Sequence, residues 1–81
     1  MSEDEIRFLL YMWHKRRFKV DRSMPEEGII KHLGHKVGNV EGVIKSLIDK
    51  RLLGMTKKRG SRRYWVNAGE TKGILMDLGR I

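Results

Sequence analysis

Cysteine is absent from the 81 residues, so no disulfide framework, thiolate metal site or cysteine nucleophile is available and packing alone must hold the fold. Glutamine is absent as well, and beside abundant Lys, Arg and Glu this resembles thermophile composition. No apolar run approaches the roughly 20 residues of a membrane span. Met1 to Glu5 is acidic where a secretory signal would be basic and then apolar, which leads to the expectation of an intracellular protein. Catalytic constellations are also missing. There is no P-loop and no paired-carboxylate pattern, and Ser46 and Ser61 have no nearby histidine to act as base, so no enzymatic activity is expected. His14, His32 and His35 are too few and too scattered for a metal site, and neither metal nor cofactor is expected. Carboxylates are in deficit, 10 Asp and Glu against 18 Lys and Arg, a formal net charge of +8. That excess suits nucleic acid first and an anionic membrane second.

A chain this short makes one small domain, residues 1–81, burying only about 60 to 65% of the surface that its unfolded form exposes. Ser2 followed by Glu5 is a capping-box pattern, which opens a first helix expected from Glu3 to Arg17. Ile6, Leu9, Leu10 and Trp13 follow helical spacing, while Phe8, Tyr11 and Met12 widen the apolar stripe beyond one face. FKVDR, Phe18 to Arg22, alternates apolar and charged residues and reads as a short edge strand. Ser23-Met24-Pro25-Glu26-Glu27 then marks a second helix from about Pro25, with Ile29, Ile30 and Leu33 buried and Gly34 at its end.

Val40, Val43, Ile44, Leu47 and Ile48 predict a third helix from Lys36 or Val37 to Arg51. Leu52 to Lys57 and Arg62 to Asn67 read as a β-hairpin whose tip crowds the cations of KKRGSRR, with Gly60 allowing the turn. Glu70 to Leu78 reads as a short last helix.

LGHKVGNVEGVIKSLIDKRLL, Leu33 to Leu53, resembles the turn and recognition helix of winged helix-turn-helix regulators, and RRYWVNAGETKGILMDLG, Arg62 to Gly79, resembles their second wing strand and following helix. The resemblance implies an α+β fold: a three-helix core with a small antiparallel sheet, a β-hairpin wing and a short C-terminal helix. Small winged helices of this composition are similar to those of archaea and their viruses. The chain departs from the family's pattern at His35, where an aliphatic is usual, at Lys36, where a Ser or Thr cap is usual, and at Arg51, where Gly is usual.

The resemblance also implies a double-stranded DNA-binding transcriptional regulator, cytoplasmic and nucleoid-associated, with the third helix in the major groove and the wing on the phosphate backbone. Crowded cations have a use there, because a duplex carries one charge per roughly 1.7 Å of axis and neutralising phosphates releases counterions. Lys57, Lys58, Arg59, Arg62 and Arg63 are the expected wing contacts. Asn39 and Lys45 are the expected base readers, since Asn pairs with adenine and Lys prefers guanine, and Lys36 and Ser46 are the expected phosphate contacts. Gly38 and Gly42 would allow close backbone approach, whereas Glu41 opposes it unless it accepts from a cytosine amino group. A second basic group, Lys15, Arg16, Arg17, Lys19 and Arg22, is first a favourable helix-end charge, the alternative being that Lys19 and Arg22 extend the DNA surface, since the first strand of the family borders the wing sheet. Tyr64 and Val66 are expected in the core beneath the wing, and Trp65 over the third helix or a partner. The surplus apolar surface of the first helix, with the one-sided last helix, leads to the expectation of a homodimer through those two helices. No small-molecule effector is evident. The alternative is a winged-helix protein-interaction or RNA-binding module within a larger assembly.

Overall fold

Ser2 and Glu5 close the capping box: the Glu5 N–H donates to Ser2 Oγ at 3.2 Å, and the Ser2 N–H donates to Glu5 Oε1 at 3.1 Å. In the computed structural model, which describes residues 1–81, helix α1 therefore runs Glu3–His14. It stops three residues before the expected end because Arg16 turns left-handed (φ 55°), with its N–H donating to the Trp13 carbonyl and that of Arg17 to the Met12 carbonyl.

FKVDR is not a strand. Only Phe18 of its apolar residues finds cover, against Trp13 at 5.0 Å between ring centroids, while Val20 is 52% exposed. With no buried side to reward alternation, the segment forms a 3-10 turn, Val20–Arg22. The first strand lies further on: β1, Met24–Pro25, pairs antiparallel with Tyr64 and Arg63. Helix α2, Glu26–Leu33, starts one residue later than expected with Pro25 as its N-cap. It buries Ile29 and Leu33 but leaves Ile30 42% exposed, because the helix is covered on one side only.

Helix α3, Val40–Asp49, begins later than expected, since Asn39 rather than a residue near Lys36 supplies the cap; Val37 is buried in the preceding turn. The helix ends as α1 does. Arg51 takes a left-handed backbone (φ 60°), with its N–H donating to the Ile48 carbonyl and that of Leu52 to the Leu47 carbonyl. Arg51 thus holds the conformation for which glycine is the unstrained choice, so the departure at this position carries backbone strain. Arg51→Gly should stabilise the fold by about 0.5–1 kcal/mol, because relief of the strained backbone outweighs the added freedom of the unfolded chain. Urea unfolding of the two forms checks this.

Strands β2, Leu53–Lys58, and β3, Ser61–Val66, form the hairpin, and the sheet order is β1-β3-β2. The turn is shorter than expected. Only Arg59 (φ 54°) and Gly60 (φ 78°) lie between the strands, both left-handed as a two-residue hairpin loop of this twist requires. Helix α4, Ala68–Asp77, is capped by Asn67, whose Oδ1 accepts from the Glu70 N–H at 3.5 Å.

One cluster of apolar side chains joins these elements into a winged helix-turn-helix arrangement. Phe8, Leu9 and Met12 of α1, Leu47 of α3, Val66 of β3 and Leu75 of α4 are fully enclosed. The wide apolar stripe of α1 is thus covered within the chain, by α3, β3 and α4. Arg80 reinforces the α4 contact, donating to both Glu3 oxygens at 3.0 and 3.1 Å. Phe8 and Met12 of the surplus on α1 are taken up by this packing, whereas Leu10, Tyr11 and Trp13 stay half-buried, and the large apolar side chains left exposed at the end of the fold are Met76, Leu78 and Ile81.

Candidate nucleic-acid interface

Pairing within the wing separates its cations onto two faces. Lys57 lies opposite Arg62, and Met55 opposite Tyr64, on the face shared with α3. Lys58 pairs with Ser61, and Thr56 with Arg63, on the face turned away from it. Four of the five cations therefore stand on the strands, and Arg59 alone occupies the tip. Like charges directly opposed, as Lys57 and Arg62 are, destabilise a hairpin, so their placement is not explained by folding.

Arg63 is partly engaged within the fold. Its Nε donates to Ser23 Oγ at 3.0 Å and its Nη2 to the Ser23 carbonyl at 2.6 Å, which staples the wing to the chain before β1. Arg62 is more than half exposed and its Nη1 lies 4.0 Å from Glu26 Oε1. The same Glu26 oxygen accepts from the Tyr64 hydroxyl at 2.7 Å. Burial, and after it the Glu26 hydrogen bond and charge, push the Tyr64 phenol up to about 12 against a smaller opposing pull from Arg62. It stays a donor at any physiological pH and ties α2 to β3.

Tyr64 and Val66 are buried as expected, but Trp65 does not cover α3. It sits half-buried on the opposite sheet face above Gly54, where a Cβ would fall 2.3 Å from its ring.

On α3, Lys45 is exposed and unpaired. Lys36 is exposed in the turn before the helix, and its carbonyl accepts from Arg7 Nη1 at 3.2 Å. Asn39 caps the helix: its Oδ1 accepts from the Gly42 N–H at 3.1 Å. A bidentate pairing with adenine would require giving up that cap, so Asn39 can offer only its amide Nδ2 to a base. Gly42 is explained by the same contact, since a Cβ there would lie 2.6 Å from Asn39 Nδ2. Gly38 lies before the helix, where its N–H donates to Asp4 Oδ2 at 3.4 Å. Asn39→Ala should lower stability by about 1 kcal/mol, measurable by thermal unfolding.

The Ser46 hydroxyl is engaged within the fold as well. Its hydroxyl donates to Glu5 Oε2 at 2.9 Å, and Lys50 Nζ reaches the same oxygen at 2.6 Å. Burial by itself raises the Glu5 pKa, but the hydrogen bonds from Lys50, Ser2 and Ser46 outweigh it and hold the carboxyl down at about 2. Glu5 therefore serves twice, in the α1 cap and as the anchor of α3. The capping pattern announced only the first role; Ser46 and Lys50, four residues apart, share a helix face in the sequence, but their partner lies 41 and 45 residues away.

Between α3 and the wing runs a groove floored by Ile44, Ile48 and Met55, with Glu26, Glu41 and Asp49 on its rim beside Lys45 and Arg62. Charges there nearly balance. The unopposed cations lie on the wing.

No protein-family model matches the chain. No curated protein matches its sequence. Among solved structures it is similar to TubR from Bacillus megaterium pBM400, with a TM-score of 0.81 over 96% of this chain and 87% of that one, at 9% sequence identity. At that identity the likeness is one of fold: four helices with a three-stranded antiparallel sheet, and a hairpin wing beside a helix-turn-helix.

Proposed function

We propose that the protein binds double-stranded DNA, with its wing on the phosphate backbone and the exposed face of α3 toward the major groove, and that it regulates transcription by occupying promoter DNA in the cytoplasm. The observation that carries this reading is the wing: Lys57, Lys58 and Arg59 are exposed on a protruding hairpin and none has a carboxylate within ion-pair distance. Lys36 and Lys45 extend the cationic line onto the helix-turn-helix. Glu41 and Asp49 on α3, with the oxygen of Asn39 committed to its cap, leave few groups for base reading, so affinity rests mainly on phosphates. The chain acts as a binding module and not as an enzyme, and no effector is needed for occupancy. Fluorescence anisotropy of a random-sequence duplex, titrated at several salt concentrations, tests the reading. About six neutralised phosphates give a log-log salt slope near −5. Weak binding with a flat salt dependence overturns it.

One observation favours a second reading, a protein-interaction module within a larger assembly. The groove between α3 and the wing has an apolar floor, on which Met55 is 46% exposed, and a rim of three carboxylates. Weak duplex affinity together with apolar burial against a specific protein would favour it.

A further inference from the structure

Cations on the two sides of the wing cannot all face one DNA molecule. On the side turned from α3, the 3-10 turn packs across the hairpin and forms a cleft with Thr56, Lys57, Lys58 and Arg63. Lys19 precedes that turn and Arg22 ends it, both exposed and neither in an ion pair, and Lys58 and Arg59 continue the surface toward the tip. Asp21 is the carboxylate in the cleft. The groove on the α3 side sets Lys45 and Arg62 against Glu26, Glu41 and Asp49, whereas the far-side cleft sets Lys57, Lys58 and Arg63 against Asp21 alone and has a clear positive excess.

A duplex lying along α3 and the near side of the wing leaves uncovered the outer face, where Lys58 stands beside the 3-10 turn that Lys19 precedes and Arg22 ends. The same duplex does not reach both sides by bending. The protein measures only 37 × 25 × 21 Å, and duplex DNA has a persistence length of about 150 base pairs, so curling around so small a body costs several kcal/mol. A separate duplex segment carries the same closely spaced phosphates and meets no such cost.

We propose that the face built from the 3-10 turn and the outer side of the wing is a second phosphate-binding surface, which takes a second duplex segment, so that one protein molecule bridges two. The inference rests on the DNA-binding reading above and adds to it a function, joining DNA segments, that α3 does not supply.

The test uses a bead-bound 30-base-pair duplex loaded with protein, then a fluorescent second duplex, with captured fluorescence as the readout. Wild type is compared with a Lys19→Ser, Arg22→Ser double variant, and anisotropy on a single duplex is measured in parallel. Both residues are exposed, so thermal melting should show an unchanged fold. The expected result is that single-duplex affinity is retained while capture of the second duplex falls at least about tenfold. Three results overturn the proposal. If wild type binds one duplex but captures no second, the bridging surface does not exist and the DNA-binding reading stands. If the double variant bridges as well as wild type, another surface joins the duplexes. If the second site captures single-stranded RNA and not duplex, the ligand is a different polyanion. Failure of wild type to bind even the first duplex removes both readings, and anisotropy shows that separately.

Discussion

Replacing Lys57, Lys58, Arg59 and Arg62 together with serine should lower affinity for a single duplex by roughly two to three orders of magnitude at about 0.1 M salt and flatten the log-log salt slope from near −5 to about −2.5. These four are the wing cations whose charge is exposed and not consumed by the fold. Each phosphate that they neutralise releases close to one condensed counterion, so losing the contacts of Lys57, Arg59 and Arg62 removes about half of the slope, while Lys58, on the outer face, adds little on a single duplex. The variant should fold at least as well as wild type, because Lys57 and Arg62 repel each other across the strands. Arg63 belongs in a separate experiment. Arg63→Ser leaves the Ser23 carbonyl without its donor and should cost stability while changing the salt slope little. If the fourfold variant binds with the slope of wild type, the wing is not the phosphate clamp and the DNA-binding reading loses its main support.

Glu5→Gln should lower stability at pH 7 by about 2–3 kcal/mol, a large share of what a domain this small has to lose. The carboxyl is buried and takes hydrogen bonds from Ser2, Ser46 and Lys50, which hold its pKa at about 2 against an ordinary value of 4.5. A depressed folded-state pKa means that the stabilisation is complete above pH 4.5 and fades as pH falls toward 2. Wild type should therefore lose stability steeply across that interval, and Glu5→Gln should lose much less there. Glutamine keeps the shape of the side chain but not its charge, so Lys50 faces a neutral oxygen. The measurement is urea unfolding from pH 7 down to 2 for both proteins. Equal stability at neutral pH with equal acid slopes would mean that the Glu5 network does not hold α3 against α1. The anchoring also bears on function, since a loosened α3 would present Lys45 in a less defined position, and duplex binding by Glu5→Gln should weaken even though a negative charge has been removed.

The order of elements was legible in the residues because local chemistry dictates it. The Ser2–Glu5 box, the apolar spacing from Val40 to Ile48, and the hairpin around Gly60 each declare an element within a few residues. Boundaries were less legible. The ends of α1 and α3 depend on Arg16 and Arg51 turning left-handed, for which arginine gives no warning. Alternation in FKVDR suggested a strand, yet β3 pairs instead with Met24 and Pro25, two residues with no strand pattern at all.

The candidate interface divides along the same line. That the wing is strongly basic, that α3 carries Lys45, and that Tyr64 and Val66 are core follow from residue type and period alone. Which cations remain available does not. Arg63 and Arg62 are neighbours of the same chemistry, but β3 turns them to opposite faces, where one meets the Ser23 carbonyl and the other meets solvent and Glu26. Asn39 and Ser46 look like ligands until the fold sets one over its own helix end and the other against Glu5. By itself the sequence determined the fold class, the basic wing and the partner that its charge suits, because those follow from composition and short-range pattern. Only the tertiary structure decided which polar groups are already satisfied and which stay open to a ligand, because the partners of Arg63, Ser46 and Lys50 lie 40, 41 and 45 residues away, and no local pattern encodes that distance.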